Sequence, residues 1–378
     1  MSRLFIIALM IGWGPLYAQT AVEGKLYIDS ASVVNIDSDL LIKSGEFENK
    51  GNMYFSGDMS NNGTFISGDG ANLIFTGNNQ VFDGGTYRLS SLLVGDGGVT
   101  NVYNALLVEI LDSLNLSEGI IYTLPEGAVK LNLNAKSSEG SEISYIDGAL
   151  YRSDEGKVIY PIGVDGSFTP VTLEKGEGEM GLIAHLQTGQ PDYEEDIFGV
   201  SEDRYWEILP GNNNLDIANA ISLPIKDEVF IRNFFDIVVA GAGLPEGVYK
   251  TQERTDLDET DRWNKEGIVF SKLDGQSKYL ALAEKVNNEV FVKNMISPNG
   301  DLKNDFLYIE NIEKFEGNEV LVLNRWGQEV FRQAGYQNNW DATVNGTPLP
   351  TGTYTCIVKI NGVNGPETFV SVVNIINK

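Results

Sequence analysis

The chain has very few of the side chains on which most hydrolytic and zinc chemistry depends. Its 378 residues include one cysteine, Cys356, and one histidine, His185. A single cysteine excludes an intramolecular disulfide, so the fold must be held together by its cores alone. A Ser-His-Asp or Cys-His arrangement needs a histidine beside the nucleophile, and one isolated histidine does not predict such a pair. A zinc site built on histidine and cysteine is disfavoured for the same reason.

Basic residues and long apolar runs are also scarce. The chain has 27 Lys and Arg residues against 53 Asp and Glu residues, which gives a net charge of −26. We expect no nucleic acid partner, because its recognition needs clustered basic side chains. Anionic membrane surfaces should repel such a chain as well. The longest uninterrupted apolar run is residues 4–11, and it is too short to span a bilayer, so we expect no transmembrane segment in the mature chain.

The N-terminus has the pattern of a secretory signal peptide. Arg3 supplies a positive charge, residues 4–11 are apolar, and the small residue Ala18 follows a break at Gly14 and Pro15. These are the three parts of a cleavable signal, and we predict cleavage after Ala18. An uncleaved N-terminal anchor is the alternative. Lipid attachment to a cysteine is excluded, because no cysteine lies near the cleavage site.

Short apolar runs separated by Gly, Asn and Asp follow the signal and predict an all-β protein. Within residues 19–135, Ser-Gly or Thr-Gly pairs recur at spacings of roughly nine to twelve residues. One such unit cannot cover its own apolar face, whereas stacked neighbours can. We therefore predict a repetitive, β-solenoid-like region over residues 19–135. An ordinary β-sandwich with similar hairpins is the alternative.

Residues 136–288 lose the repeat and show longer strand patterns, which predict a β-sandwich passenger region. The polar stretch 283–288 is the expected domain boundary. His185 lies within a strand pattern, and we expect it to be half exposed and not catalytic. The acidic runs 192–196 and 256–261 are expected to be solvated loops. Two suitably spaced carboxylates are enough to hydrolyse a glycosidic bond, so acid pairs leave a carbohydrate-degrading role open.

The last segment, residues 289–378, carries four ordered motifs. The motifs are Ser297-Pro298-Asn299-Gly300-Asp301 with Asn304-Asp305, Asn324-Arg325-Trp326-Gly327 with Val330-Phe331, Trp340-Asp341, and Leu349-Pro350 with Gly352-Thr353-Tyr354. Alternating apolar residues around them predict a compact sandwich, with Trp326, Phe331 and Trp340 as core anchors. Gly352 is expected to give a tight turn a permissive backbone. Cys356 lies on an apolar strand face and should be a buried, structural thiol.

These motifs closely resemble the gliding-motility-associated C-terminal domain, also called the type B sorting domain of type IX secretion. The resemblance covers residues 289–378, roughly a quarter of the chain. It implies an immunoglobulin-like β-sandwich that acts as an export address. Two positions depart from the family pattern: Leu302 replaces a glycine after Asp301, and Ala342 replaces a glycine after Trp340-Asp341. Both replacements are expected to affect turns.

The resemblance also implies a route of export. The general secretion pathway would carry the protein across the inner membrane, and the type IX machinery, including an outer-membrane partner, would carry it to the cell surface or the medium. The implied sorting-signal residues are Asn299, Gly300, Asp301, Asn304, Asp305, Arg325, Trp326, Gly327, Trp340, Asp341, Pro350, Gly352 and Tyr354. Their tryptophans, with Gly327 and Gly352, are expected to maintain the fold. Asn299, Asp301 and Arg325 are expected to contact the machinery.

One group of motif residues also has the pattern of a calcium loop. Asn299, Asp301, Asn304 and Asp305 place oxygen ligands around a glycine turn, as calcium sites do. Lys303 puts a cation inside that loop, which favours an Asx-turn network instead. We expect a structural or adhesive surface protein without enzymatic activity, with a polysaccharide or another surface ligand as its partner. The alternative is a carbohydrate-binding or carbohydrate-degrading secreted protein.

Overall fold

The structure is a computed structural model that describes residues 19–85, 87–95, 102–104, 107–125, 127–211, 214–226, 234–261, 266–286, 290–300, 304–362 and 365–377. The predicted signal peptide, residues 1–18, lies outside these ranges, as do Asp301, Leu302 and Lys303. Two compact units divide the chain, Met1–Lys285 and Val286–Lys378. Within the described ranges, every regular element is a strand apart from two 3₁₀-helical turns, Phe234–Asp236 and Ile312–Lys314. The predicted all-β class is confirmed.

The first unit, called the passenger unit below, begins with a stack of short parallel strands. These are β1 (Gln19–Val22), β2 (Lys25–Ile28), β3 (Val33–Ile36), β4 (Asp39–Ile42), β5 (Glu46–Asn49), β6 (Asn52–Phe55), β7 (Met59–Asn61), β8 (Thr64–Ser67), β9 (Asn72–Phe75), β10 (Gln80–Gly84), β11 (Tyr87–Val94), β12 (Val102–Asn104), β13 (Leu107–Leu116), β14 (Ile121–Thr123), β15 (Ala128–Leu131), β16 (Lys136–Ser137), β17 (Ile146–Asp147) and β18 (Leu150–Arg152). They lie in three sheets, with the orders β1-β4-β7-β10-β12-β14-β17, β2-β5-β8 and β3-β6-β9-β11-β13-β15-β18. The region is therefore β-solenoid-like, as the repeats predict.

One coil of this stack is longer than the repeat seen in the sequence. Gln19 pairs with Asp39, and Leu40 pairs with Met59, which gives about 20 residues per coil. The Ser-Gly and Thr-Gly pairs recur at about half that distance because they mark only some of the corners, and the corners at Gly51 and Gly63 lie between the first three pairs. The spacing of nine to twelve residues is thus a distance between marked corners and not the length of a coil.

Glycine is required at one of these corners because there is no room for a side chain. A Cβ atom on Gly63 would lie 2.4 Å from the carbonyl oxygen of Gly45 in the preceding coil. Asn61, which is buried, accepts a hydrogen bond from the Gly63 amide at 3.0 Å through its Oδ1 atom. Asn49 holds the Gly51 amide in the same way. The corner amides are therefore satisfied without interrupting the strand ladders.

Aromatic side chains from successive coils meet inside the stack. Phe47 stacks on Phe65 with ring centroids 5.4 Å apart, and Phe65 contacts Tyr87 at 5.7 Å. All three rings are buried, since alternate residues of a strand point to the same face. Because each ring lies above its counterpart in the previous coil, these contacts stabilise the stack beyond the area that they bury.

The longest sheet continues into the region predicted as a separate sandwich. The strands of that region are β19 (Gly156–Tyr160), β20 (Ile162–Val164), β21 (Ser167–Phe168), β22 (Val171–Lys175), β23 (Met180–Leu186), β24 (Asp192–Tyr193), β25 (Ile197–Val200), β26 (Arg204–Pro210), β27 (Ala218–Ile225), β28 (Ile237–Ala242), β29 (Val248–Thr251), β30 (Arg254–Asp261), β31 (Glu266–Lys272) and β32 (Tyr279–Lys285). Leu150 of β18 pairs in parallel with Val129 and antiparallel with Leu182. The change of pairing therefore occurs at β18, and the predicted division at residue 135 falls inside the stack.

Beyond β18, two largely antiparallel arrangements share the core of the stack, while the first sheet continues through β20, which pairs in parallel with β17 and antiparallel with β21. One continues the longest sheet in the order β18-β23-β26-β32-β28-β29-β24, where the β24–β29 pair is parallel, and the other has the order β19-β22-β27-β31-β30. Leu173 of β22 and Trp206 of β26 belong to the same buried cluster as Val22 of the first coil. Alternate residues of both sheets point away from this core. On β28 and β32 these residues belong to a second buried cluster, which includes Val238, Ala240 and Ala283, and elsewhere they form the outer faces of the unit.

The second unit has a core of its own. Its strands are β33 (Phe291–Val292), β34 (Met295–Ile296), β35 (Ile309–Glu310), β36 (Glu319–Leu323), β37 (Glu329–Ala334), β38 (Thr343–Val344), β39 (Thr347–Pro348), β40 (Gly352–Gly362) and β41 (Gly365–Ile375). The main sheet has the order β34-β41-β40-β36-β37, and β33-β35 and β38-β39 form two small ribbons. Val320, Val358 and Val373 pack with Tyr336 and Trp340 in the buried cluster.

Candidate functional site

The first sorting motif forms a loop that is closed by one carboxylate. Asp305 Oδ1 accepts hydrogen bonds from the amides of Asn299 and Gly300, at 2.9 and 2.8 Å. The Ser297 amide donates to the carbonyl oxygen of Asn304 at 2.7 Å. Asp305 thus reaches back five and six residues to cap two backbone amides, and Asn299, Gly300 and Asn304 are exposed. Side-chain oxygens cap backbone amides here, as the sequence favours, but the contacts are longer in range than an Asx turn.

The calcium hypothesis depends on Asp301, the central ligand of the loop, whose position the structure does not describe. Within the described part of the chain, no group of three or more His, Cys, Asp or Glu side chains is placed to hold a metal ion. Calcium binding at this loop therefore stays an alternative to the turn network.

The second motif is the tip of the β36–β37 hairpin. Asn324 Oδ1 accepts hydrogen bonds from the amides of Trp326 and Gln328, both at 3.0 Å. Gly327 has a φ angle of 78°, a conformation in which glycine is the favoured residue. The guanidinium carbon of Arg325 lies 4.2 Å from the centroid of the Trp326 ring, within the range of a cation–π contact. Arg325 and Trp326 together are called the hairpin tip below.

Trp326 is not the core anchor that the sequence predicts. Its exposed fraction is 69%, because it lies in the turn beyond the hairpin ladder, where neither sheet face can cover it. Trp340, by contrast, has an exposed fraction of 6% and stacks on Phe331 with centroids 4.5 Å apart. Trp340 therefore has the expected place in the core, Phe331 is partly buried and packs against it, and the expectation is wrong for Trp326.

The third motif holds a tight turn. Trp340 Nε1 donates to the carbonyl oxygen of Thr343 at 2.9 Å. Asp341 Oδ1 accepts hydrogen bonds from the Thr343 amide and hydroxyl, at 3.1 and 2.7 Å. Ala342, at the position of the family's glycine, adopts a φ angle of 57°. The turn therefore keeps a left-handed residue in this chain, although the side chain there disfavours that conformation.

The last motif secures the start of β40. The Tyr354 hydroxyl donates to the carbonyl oxygen of Pro350 at 2.9 Å, and the tyrosine is buried. Gly352 pairs with Ile375 and has no positive φ angle, so the predicted need for a permissive backbone there is wrong. Cys356 is fully buried as predicted, and burial raises the pKa of its thiol to about 12.

Sequence reasoning missed Asn318, which organises the core of this unit. Its Nδ2 atom donates to the carbonyl oxygens of Ile312 and Phe315 at 3.1 and 3.0 Å, and its Oδ1 accepts from the Tyr336 amide at 2.7 Å. Tyr336 in turn donates its hydroxyl to the carbonyl oxygen of Leu307, and burial raises the pKa of that hydroxyl. A single asparagine carries no sequence signal for this role, because asparagine is usually a turn residue.

The passenger unit has a cluster of charged and aromatic side chains on the outer face of its longest sheet. His185 Nε2 lies 2.9 Å from Glu207 Oε2, and Lys278 Nζ donates to Glu207 Oε1 at 2.7 Å. His185 stacks on Tyr205 with centroids 4.9 Å apart, and Tyr205 meets Tyr279 at 6.0 Å. His185 is partly buried, as expected for a half-exposed strand histidine.

Glu207 is an ionised acceptor in this cluster. The hydrogen bond with His185 is the largest influence and lowers its pKa, partial burial opposes this, and Lys278 lowers the pKa further, to about 2. A group with such a pKa is a poor general acid at neutral pH, because it holds no proton to donate. The cluster ties β23, β26 and β32 together, and this role needs no ligand.

The two acidic runs differ in structure. Residues 192–195 are exposed, as predicted, but Asp192–Tyr193 forms β24 and is not part of a loop. Residues 256–261 lie within strand β30, at the edge of its sheet, and not in the predicted loop. Asp256 and Asp258 are exposed there. Charges along an edge strand discourage pairing with the sheet of another molecule.

A known protein family matches the second unit. Residues 290–373 match the CHU_C Type IX secretion signal domain. The chain carries a type IX secretion signal domain. The match spans all the described sorting residues, and the domain indicates export to the cell surface or the extracellular space through the type IX machinery. Neither the curated proteins nor the solved structures contain a match. In the described ranges, no helix is long and apolar enough to cross a membrane.

Proposed function

We propose that the protein is a structural or adhesive component of the outer cell surface, without enzymatic activity. The observation that carries this proposal is the continuity of the passenger unit. One buried cluster includes Val22 of the first coil and Leu282 of the last strand, and the parallel stack joins the antiparallel region through β18. Such a core favours cooperative unfolding, which suits a part that must keep its structure outside the cell without disulfides.

The state of the reactive side chains supports a role without catalysis. His185 is engaged with Glu207, and the Cys356 thiol is fully buried. A nucleophile activated by histidine, or a reactive thiolate, would need an accessible group of one of these types. The alternative, a carbohydrate-degrading protein, would have to act through carboxylate pairs.

We place the contact with the export machinery on the exposed motif residues of the signal domain. Asn299, Arg325 and Trp326 are exposed, and side-chain hydrogen bonds to the backbone fix the loop and the hairpin tip that present them. Surfaces that are ordered before binding lose less entropy when a partner docks. The proposed route begins with the predicted signal peptide and the general secretion pathway, and it ends at an outer-membrane partner of the type IX machinery.

Two measurements on the full chain test the proposed role. Purified protein is incubated with a panel of polysaccharides while released reducing ends are measured, with heat-denatured protein as the control. Surface attachment of cells that produce the protein is compared with that of cells lacking it. We expect no sugar release and a loss of attachment in the deficient cells. Sugar release in proportion to the amount of native protein would overturn the proposal.

A further inference from the structure

The outer face of the β19-β22-β27-β31-β30 sheet carries a groove with a volume of about 320 Å³. Ile159, Phe168 and Pro224 form apolar parts of its lining. Ile159 has an exposed fraction of 37% although it is a large aliphatic residue. This volume lies at the lower end of the range for sites that bind small molecules, which are usually lined by apolar and aromatic groups with a few polar ones.

Two prolines explain why the sheet surface opens at this point. The ladder between β22 and β27 ends at the pair Thr172 and Ser222. Val171 and Leu223 would form the next pair, and Pro170 and Pro224 the pair after it, and neither proline has an amide hydrogen to donate. On its other side, Pro224 still pairs with Ile268 of β31. The groove is lined by strand residues, among them Thr172 and Ser222, together with Glu139, Gly140 and Pro170, which lie outside the strands.

The groove combines hydroxyl groups with carboxylates at its margin. Thr172 and Ser222 are cross-strand neighbours that line it. Within the described part of the chain, neither hydroxyl has a hydrogen-bond partner, and each can both donate and accept. Glu139 is an exposed acceptor in the lining, and the exposed Asp258 is the cross-strand neighbour of Ile268. Two negatively charged hydrogen-bond acceptors therefore lie at or beside the groove.

We propose that this groove binds a neutral saccharide. A sugar ring has apolar C–H faces that pack on Phe168 and the prolines, and hydroxyl groups that pair with Thr172, Ser222 and Glu139. The carboxylates and the net charge of −26 repel anionic ligands such as uronates or phosphates. Such a saccharide would be the ligand of the proposed adhesive protein, so the biological role of the site rests on the proposed function.

The test measures binding of neutral oligosaccharides to the full chain by calorimetry. The probes are cellohexaose, laminarihexaose, mannohexaose and maltohexaose, with hexagalacturonate as the anionic counterpart. We expect saturable binding of at least one neutral probe and none of hexagalacturonate. Thr172→Val removes one hydroxyl at nearly constant volume, and it should weaken binding roughly three- to tenfold, the effect of one hydrogen bond. Ile159→Ala should weaken binding as well, through loss of apolar contact.

The matched control is Thr64→Val, which makes the same change on an exposed position of β8. It should leave binding unchanged, and thermal unfolding should show that all three variants are folded. Absence of saturable binding to every neutral probe, equal binding of hexagalacturonate, or equal affinity of Thr172→Val and the parent would each overturn the groove proposal. These outcomes would not change the result of the cell-attachment measurement, whereas sugar release would overturn the proposed function itself.

Discussion

The passenger unit and the signal domain both turn their chains on glycine, but for different physical reasons. At Gly63 a Cβ atom would lie 2.4 Å from the backbone of the preceding coil, so the limit is space. At Gly327 nothing lies within 4 Å, and the φ angle of 78° is the limit. In a stack of coils, a corner is packed against its neighbours, whereas a hairpin tip has only solvent around it. A glycine in a motif therefore does not by itself tell which constraint applies.

The cores of the two units differ in a related way. Aromatic contacts in the passenger unit are repeated from coil to coil, as between Phe47 and Phe65, so that many similar contacts share the stabilisation. In the signal domain, Trp340, Tyr336 and Asn318 form one connected centre. We expect single substitutions to have their largest effects in the signal domain, where few residues hold the core.

The largest effect is expected from Trp340→Ala compared with Trp326→Ala. Removal of the buried Trp340 should reduce the free energy of unfolding of the signal domain by about 3–5 kcal/mol, because it leaves a cavity and breaks the stacking with Phe331. Trp326→Ala should change it by less than about 0.5 kcal/mol, since that side chain is mostly exposed. Urea unfolding followed by the signals of this domain measures both. Equal losses for the two variants would contradict the placement of Trp326 at an exposed tip.

The next effect separates the two glycine constraints directly. Gly63→Ala should destabilise the passenger unit by about 2–3 kcal/mol, because backbone atoms of the adjoining coil must move. Gly327→Ala should cost the signal domain about 1 kcal/mol through its φ angle alone. Asparagine tolerates left-handed angles, so Gly327→Asn should recover part of that loss, while Gly63→Asn should be worse than Gly63→Ala. If asparagine restored stability relative to alanine at both positions, or at neither, the two glycines would not be under different constraints.

A smaller effect, confined to the passenger unit, is expected from pH. The pKa of Glu207 falls from its ordinary value of 4.5 to about 2 in the folded protein. The ionised Glu207 carboxylate therefore adds at most about 3 kcal/mol to the free energy of unfolding. This contribution is fully present above about pH 5 and is lost as the pH falls toward 2. Glu207→Gln should lower the free energy of unfolding at pH 7, and its difference from the parent should shrink between pH 5 and pH 2.

The control for this titration is Glu177→Gln, which makes the same change of net charge at an exposed position. It should show little difference from the parent at either pH. A constant difference between Glu207→Gln and the parent from pH 7 to pH 2 would show that the carboxylate is not stabilised by His185 and Lys278.

The sequence predicts those parts of the molecule that depend on local patterns. Alternating apolar residues predict the strands, the Ser-Gly corners predict the stack, and ordered motifs predict the signal domain. It does not predict features that depend on contacts between distant residues. Residue 135 looks like a boundary because the corner signature stops there, yet Val129 and Leu150 remain paired beyond it. Trp326 looks like a core residue because of its type, although its place in a turn leaves it exposed.

Residues of the candidate sites show the same limit. The side-chain capping in the loop at Asn299 was predictable, because Asp305 and the two amides that it holds belong to one short motif. Asn318 was not, since its partners are contributed by two separate backbone segments, the turn from Ile312 to Phe315 and the chain at Tyr336. The groove at Thr172 was not predictable either, because it forms only when β22 lies beside β27.

The central claim is that the second unit exports the first, and localisation of two forms of the chain tests it most directly. The full chain and a chain ending at Lys285, the limit of the passenger unit, are produced in a Gram-negative host with type IX secretion. Cell-surface, medium and periplasmic fractions are then compared. Our account predicts that the full chain reaches the surface or the medium and that the shortened, folded chain stays in the periplasm. Arrival of both forms outside the cell in equal amounts would contradict it.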